Sequence, residues 1–143
     1  MKTQQFCTFF LDKLFFGVDV LQVQEVIRSQ EMTRVPLADS VISGLINLRG
    51  QIVTAMDLRK RLNLPSKTIE TEFMNVIVQT TDSPVSLLVD EIGDVLELDE
   101  ELFESPPHHL NFGLQNMLEG VYKLENDLLL ILNIEKTVDI DRV

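Results

Sequence analysis

Short apolar runs broken by tight polar turns dominate the chain, and their alternation predicts strands far more often than helices. Phe6 to Leu11 and Leu14 to Val18 read as a hairpin closed at Asp12-Lys13, rich in the phenylalanines that a half-buried sheet favours. Asp19 then stands where a cap for a short helix, Val20 to Ile27, is expected, with Val20, Val23 and Ile27 on one stripe. Arg34-Val35-Pro36 leaves a short strand for a loop, because the residue before proline avoids the helical region. Strands Leu45 to Leu48 and Ile52 to Met56 follow, hinged at Arg49-Gly50, and a helical turn, Leu58 to Leu62, closes the first half.

Pro65 to Thr71 is polar and reads as a linker, after which the scheme starts again. Met74 to Gln79 and Val85 to Val89 flank Thr81-Asp82-Ser83-Pro84; a strand near Val95 to Leu98, a loop through Pro106 and Pro107, a hairpin from Leu118 to Asn133 and a last helical turn, Ile134 to Val138, complete it. Leu128 to Leu132 is apolar on both faces, so it is expected at the centre of a sheet, covered on each side. Many short strands with polar turns favour small barrels over helical bundles or crossover α/β sheets.

The two halves are copies. GLINLRGQIVTAMDL, Gly44 to Leu58, lies over GVYKLENDLLLILNI, Gly120 to Ile134, without a gap: Gly44 over Gly120, Leu45 over Val121, Ile52 over Leu128, Met56 over Leu132 and Asp57 over Asn133. Upstream, Val18-Asp19 matches Val89-Asp90, and the second half holds about five extra residues, placed in the acidic loop around Leu98 to Leu110. The copies part at the hairpin tip, where Arg49-Gly50-Gln51 faces Glu125-Asn126-Asp127. A chain of 143 residues buries roughly two-thirds of its surface on folding, whereas each half alone is marginal, so the halves are expected to pack as one folding unit with a groove where they meet.

Charge then narrows the partners. A formal net charge of -11 opposes nucleic acid and anionic lipid, both of which need a basic surface. The single cysteine, Cys7, excludes an intramolecular disulfide framework, suits a reducing cytosol, and in its apolar strand reads as buried filler. Asp12 and Lys13 interrupt the apolar N-terminus before it could serve as an export signal, and the longest apolar run, Leu128 to Leu132, is far too short to span a membrane. A soluble, cytoplasmic protein without membrane insertion is expected.

Catalysis finds little support. His108 and His109 are adjacent in a loop and point to opposite sides, so no shared metal is expected. Eight acids between Asp90 and Glu104 lack the spacing of a calcium loop and read as a solvated strand edge and helix start, with electrostatic partner recognition as the alternative. The only histidines share one loop, leaving no base for a nucleophilic triad; no carboxylate pair stands out for hydrolysis; and the six glycines are scattered singly rather than gathered into a phosphate loop. The expectation is a non-enzymatic binding protein with neither metal nor cofactor. Arg49 at the hairpin tip reads as an exposed turn cation, as a partner contact, or as an internal pair with Glu25 of QVQEV.

FFGVDVLQVQEV, Arg34 to Pro36, GLINLRGQIVTAMDLRKRL, LLVDEIGDVLEL and the terminal LLLILNIEK resemble, in order and spacing, the landmarks of the CheW coupling proteins of bacterial chemotaxis, over Phe6 to Val138. The resemblance implies a mainly β fold of two intertwined five-stranded SH3-like barrels with short helices. Its single domain would run over 5–138, with one subdomain at about 14–64, a second at about 72–133, and the N-terminal strand and C-terminal helix tying them together. It implies a non-catalytic scaffold that links the cytoplasmic tips of methyl-accepting chemoreceptors to the regulatory domain of the CheA histidine kinase and is recruited to membrane-associated receptor arrays. Carried over by position, receptor contact would fall on Val23, Glu25, Val26, Arg49, Val95 and Leu96 in a groove between the barrels, and kinase contact on Gly44, Asn47 and Gly50. For Val23, Val26, Val95 and Leu96, plain core packing is the competing reading. An adaptor of the same fold serving a kinase in surface motility or second-messenger control is the alternative. The chain departs from the family at Thr54-Ala55, where a proline is common, and the similarity stops soon after the last helix, so a free-standing coupling protein is expected.

Overall fold

Ten strands fold into two five-stranded sheets in the computed structural model, which describes residues 2–28, 30–65, 73–110 and 112–140. The strands are β1 (Thr3–Leu11), β2 (Leu14–Asp19), β3 (Val23–Arg28), β4 (Ile42–Leu48), β5 (Gln51–Asp57), β6 (Met74–Gln79), β7 (Pro84–Val89), β8 (Glu91–Asp99), β9 (Leu118–Lys123) and β10 (Leu128–Leu132). Three short helices, α1 (Leu58–Arg61), α2 (Phe112–Asn116) and α3 (Ile134–Val138), join them. One sheet runs β8-β1-β2-β10-β9 and the other β3-β6-β7-β5-β4, with β10 parallel to β2 and β5 parallel to β7.

The duplication read from the sequence governs the register. Gly44, Leu45, Ile46 and Asn47 of β4 pair with Ala55, Thr54, Val53 and Ile52 of β5; Gly120, Val121, Tyr122 and Lys123 of β9 pair with Ile131, Leu130, Leu129 and Leu128 of β10, residue for residue as the gapless alignment requires. The caps repeat as well: Asp57 accepts from the Lys60 N–H at the start of α1, and Asn133 from the Lys136 N–H at the start of α3. Yet the sheets do not coincide with the sequence halves. Each takes a hairpin from one half and three strands from the other, so the halves are interlaced.

Neither ladder closes into a continuous barrel. Each sheet curls until the segment following one edge strand touches the opposite edge through an isolated bridge, Thr33 with Leu45 in one copy and Glu104 with Val121 in the other. The glycines at the start of the duplicated hairpins make these bridges possible: a Cβ on Gly44 would lie 2.8 Å from the Thr33 carbonyl oxygen, and one on Gly120 2.5 Å from that of Glu104. The main core fills the space between the sheets, where Phe9, Phe16 and Leu130 meet Met56, Val76 and Leu87. Smaller clusters fill the curl of each sheet, with Phe6, Tyr122, Leu129 and Ile131 in one and Leu48, Val53 and Ile77 in the other. β10 alternates between the shared core and its own sheet's cluster, which makes Leu128 to Leu132 the doubly covered strand its composition predicts.

Two expectations change. The helix expected over Val20 to Ile27 is a single 3-10 turn, Val20–Gln22, whose Leu21 N–H is held by the Asp19 carboxylate, and the remainder is β3. Its burial alternates residue by residue, a strand pattern that the Val20, Val23, Ile27 spacing mimics. β8 is also longer than Val95 to Leu98, with Glu91, Asp94 and Glu97 at exposed positions of an edge strand beside exposed Ile92 and Val95. The linker at 66–71 lies outside the described residues.

Duplicated positions on α1 and α3 clasp the sheets together with opposite charges. Arg59 is 3% exposed and holds Asp12 at the β1–β2 turn and Asp90 after β7; it also donates to the Pro65 carbonyl at 2.7 Å. The matching residue on α3 is Glu135, whose Oε1 accepts from the Thr81 N–H and hydroxyl, both at 2.9 Å, at the β6–β7 turn. Each clasp reaches from a helix following a strand of one sheet to a hairpin of the other. Arg61 adds a third tie, donating to the Lys136, Thr137 and Asp139 carbonyls at the end of α3.

Candidate functional site

The β4–β5 hairpin places its cation by backbone geometry. Arg49 and Gly50 both adopt positive φ, 53° and 87°, the requirement of a two-residue hairpin turn matched to strand twist. Gly50 meets it at no steric cost, whereas a left-handed arginine is strained by about 1–2 kcal/mol. The Asn47 side chain supports the turn, its Oδ1 accepting the Gly50 N–H at 2.9 Å.

From this tip the Arg49 guanidinium reaches across the sheet to the far edge strand, β3, and pairs with Glu25, with Nη1 3.2 Å from Oε1. The pair joins the two edges of the curled sheet. It remains wet: the Arg49 side chain is 67% exposed and that of Glu25 23%. The hydrogen bond from Arg49 holds the Glu25 carboxyl below its usual range, and the same bond raises Arg49. Both charges therefore persist across ordinary pH, and the rim offers a partner one fixed cation beside one fixed anion.

The other receptor candidates divide between burial and exposure. On β3, Val23 is half-buried against the main core while Val26 is exposed. On β8, Leu96 packs against the Phe6–Tyr122 cluster, whereas Val95 is 55% exposed, with Ile92 exposed nearby on the same strand. β3 and β8 are edge strands of different sheets, so of the six candidates the structure joins Glu25 and Arg49 directly and sets Val23 and Val26 on the same strand as Glu25. Of the kinase candidates, Asn47 and Gly50 are exposed at the tip; Gly44 is buried under the Thr33 bridge, which accounts for it by packing.

Hollows open elsewhere. Two flank the 34–43 loop, one of about 660 Å³ beside Lys60 and one of about 580 Å³ reaching Val85 and Ile140; a third, of about 270 Å³, lies at Phe103 and Tyr122. None of the six receptor candidates lines any of the three. Among the described residues no three histidine, cysteine or acidic side chains gather to hold a metal, and His108 and His109 are exposed in their loop. Cys7 is half-buried, its thiol pushed up by burial and by the Asp19 carboxylate. Among the described residues no helix is long and apolar enough to cross a membrane.

Sequence reasoning overlooked Arg59 and Arg61. Arg59 had a signal in the DLRKRL run, since extending the alignment by one residue sets it against Glu135, a charge reversal at the second position of each helix; Arg61, set against Thr137, had none.

The profile of the CheW-like domain matches residues 5–142. The chain is 37% identical over 124 residues to chemotaxis protein CheW of Bacillus subtilis, covering 87% of this chain and 80% of that protein. It is 29% identical over 140 residues to chemotaxis protein CheW of Thermotoga maritima, covering 97% and 90%. The crystal structure of scaffolding protein TtCheW from Thermoanaerobacter tengcongensis superposes with a TM-score of 0.87 at 26% identity, covering 98% of this chain and 95% of that one. Matched by the family model over residues 5–142, the chain belongs to the CheW-like domain family.

Proposed function

We propose that the protein is a non-catalytic coupling scaffold of bacterial chemosensory signalling, joining the cytoplasmic tip of a chemoreceptor to the regulatory domain of a CheA-type histidine kinase. The observation that carries this reading is its end-to-end similarity to a scaffolding protein of the same fold. The exposed hairpin tip supports it, because a strained arginine locked to a carboxylate across the sheet is a preorganised polar contact.

The receptor surface is the β3 edge with the hairpin tip, Val23, Glu25, Val26 and Arg49, extended by Val95 and Leu96 on β8. Val26 and Val95 supply exposed aliphatic anchors for a helical tip, and Glu25 with Arg49 forms the polar rim. Kinase contact uses Asn47 and Gly50, with Gly44 holding the strand beneath them. The protein works in the cytoplasm and reaches the membrane-associated array through its partners.

The reading is tested by capture of receptor tip and kinase regulatory domain, separately, on immobilised wild type and Arg49→Ala. Wild type should retain both, and the variant should lose the receptor tip while keeping its fold. Kinase capture without receptor capture would instead favour an adaptor in another pathway, the reading that relatives named as chemotaxis proteins favour less.

A further inference from the structure

The hollow of about 270 Å³ at one end of the β8-β1-β2-β10-β9 sheet is lined by Gln4, Phe6, Glu100, Phe103, Glu119, Tyr122 and Ile131. Its walls are aromatic: the Phe6 and Phe103 rings lie 5.6 Å and 5.3 Å from the Tyr122 ring and are tilted to it by 59° and 52°. Its rim is acidic. Among the described residues no cation lies within ion-pair distance of Glu100 or Glu119, and no cation lines the hollow. Tyr122 is 2% exposed, and what remains accessible includes its hydroxyl, which makes no hydrogen bond among the described residues and is not among the buried unpaired polar atoms, so the polar tip opens into the hollow.

The duplication supplies an internal control. The positions of the first half that match Phe103, Glu119, Tyr122 and Ile131 hold Met32, Ser43, Ile46 and Ala55. The same fold is therefore built there without a carboxylate or an aromatic ring at any of these places. The second copy's aromatic and acidic lining is not demanded by the shared architecture.

We propose that this hollow is a binding site for an organic cation, an alkylammonium or guanidinium head group, held over the aromatic faces and neutralised by Glu100 and Glu119. Ring faces attract such cations more strongly when the site is partly dry, and the carboxylates supply the countercharge. The charges around Tyr122 agree. Burial, with Glu100 and Asp99, raises its phenol; burial and Asp19 raise Glu119, which Lys136 opposes. A cation seated among them would relieve both. This inference stands apart from the coupling role, since its residues include none of the proposed partner contacts.

Tyr122 is the only tyrosine, and the chain has no tryptophan, so the intrinsic fluorescence of the whole protein reports on this hollow. The test titrates the intact protein with tetramethylammonium chloride and with acetyl-arginine-amide, using sodium chloride and tert-butanol as controls. The expected result is a saturable change in tyrosine emission with the organic cations alone, together with a lower phenol pKa by ultraviolet titration. Phe103→Leu should weaken binding roughly two- to fivefold, and Glu119→Gln should weaken it without disturbing the fold. Tighter binding of the arginine derivative assigns the site to a side chain on a protein, and tighter binding of tetramethylammonium to a free amine. No saturable change, an equal change with sodium chloride, or unaltered binding by Glu119→Gln and Phe103→Leu together would overturn the proposal.

Discussion

Replacing Arg59 by alanine should be among the most damaging single changes that leave every apolar core residue in place. The side chain is 4% exposed and engages two carboxylates, of which Asp90 is 11% and Asp12 55% exposed. Truncation would leave Asp90 buried beside an empty guanidinium site. Breaking a buried ion pair on one side costs about 3–5 kcal/mol; half-exposed Asp12 can rehydrate, so the loss belongs at the lower end, about 3 kcal/mol. In a domain of this size each kcal/mol moves Tm by about 3 °C, giving a drop of about 10 °C by differential scanning calorimetry. Pairing Arg59→Met with Asp90→Asn removes both charges and should recover much of the loss, because an uncharged site of similar volume is often neutral. Arg59→Ala melting within about 2 °C of wild type would refute the view that this clasp fastens one sheet to the other.

Other expectations follow from single contacts. Gly120→Ala should destabilise by about 1–3 kcal/mol in urea unfolding, and more than Gly44→Ala, since its new methyl would strike the Phe103 ring as well as the Glu104 carbonyl. Val53→Asp should abolish cooperative unfolding, because an unpaired carboxylate would sit where exposure is 0%. Arg49→Ala should leave the thermal transition nearly unchanged, its side chain being 67% exposed, while surface plasmon resonance records weaker receptor binding; Glu25→Arg with Arg49→Glu should restore part of that loss. Glu119 has a raised pKa, so the folded state holds its proton more tightly than the unfolded chain and stability falls as pH rises through the folded value. Glu119→Gln should therefore stabilise at neutral pH and give no such gain below the ordinary carboxylate range, as read from unfolding midpoints against pH.

Local pattern carried most of the strand positions, and the duplication carried more. The gapless match of Gly44 to Leu58 with Gly120 to Ile134 predicts a common hairpin register and common caps at Asp57 and Asn133, because both depend on neighbours close in sequence. The interlacing of the halves was not derivable that way: β2 beside β10 and β5 beside β7 are long-range parallel pairings with no turn to set their register. Val20 to Ile27 misled because a strand preceded by a tight turn reproduces a helical spacing over three apolar residues.

The candidate site was legible where it rested on one hairpin. Gly50 announces the positive φ and Glu25 the countercharge, and the structure unites Arg49 with Glu25. Arg59 stayed hidden among Arg59, Lys60 and Arg61, since which of three adjacent cations turns inward depends on Asp12 and Asp90 arriving from elsewhere in the chain. The Tyr122 hollow was equally illegible, its lining being gathered from β1, β9, β10 and the turn after β8.

The most direct test of the coupling account is kinase control in a reconstituted system. Autophosphorylation of a CheA-type kinase is followed with receptor tips present, with and without this protein, and again with Arg49→Ala. The account predicts that the kinase becomes responsive to receptor only when wild-type protein is added and that Arg49→Ala fails to confer the response. A kinase equally responsive without the protein, or unresponsive in its presence, would contradict it.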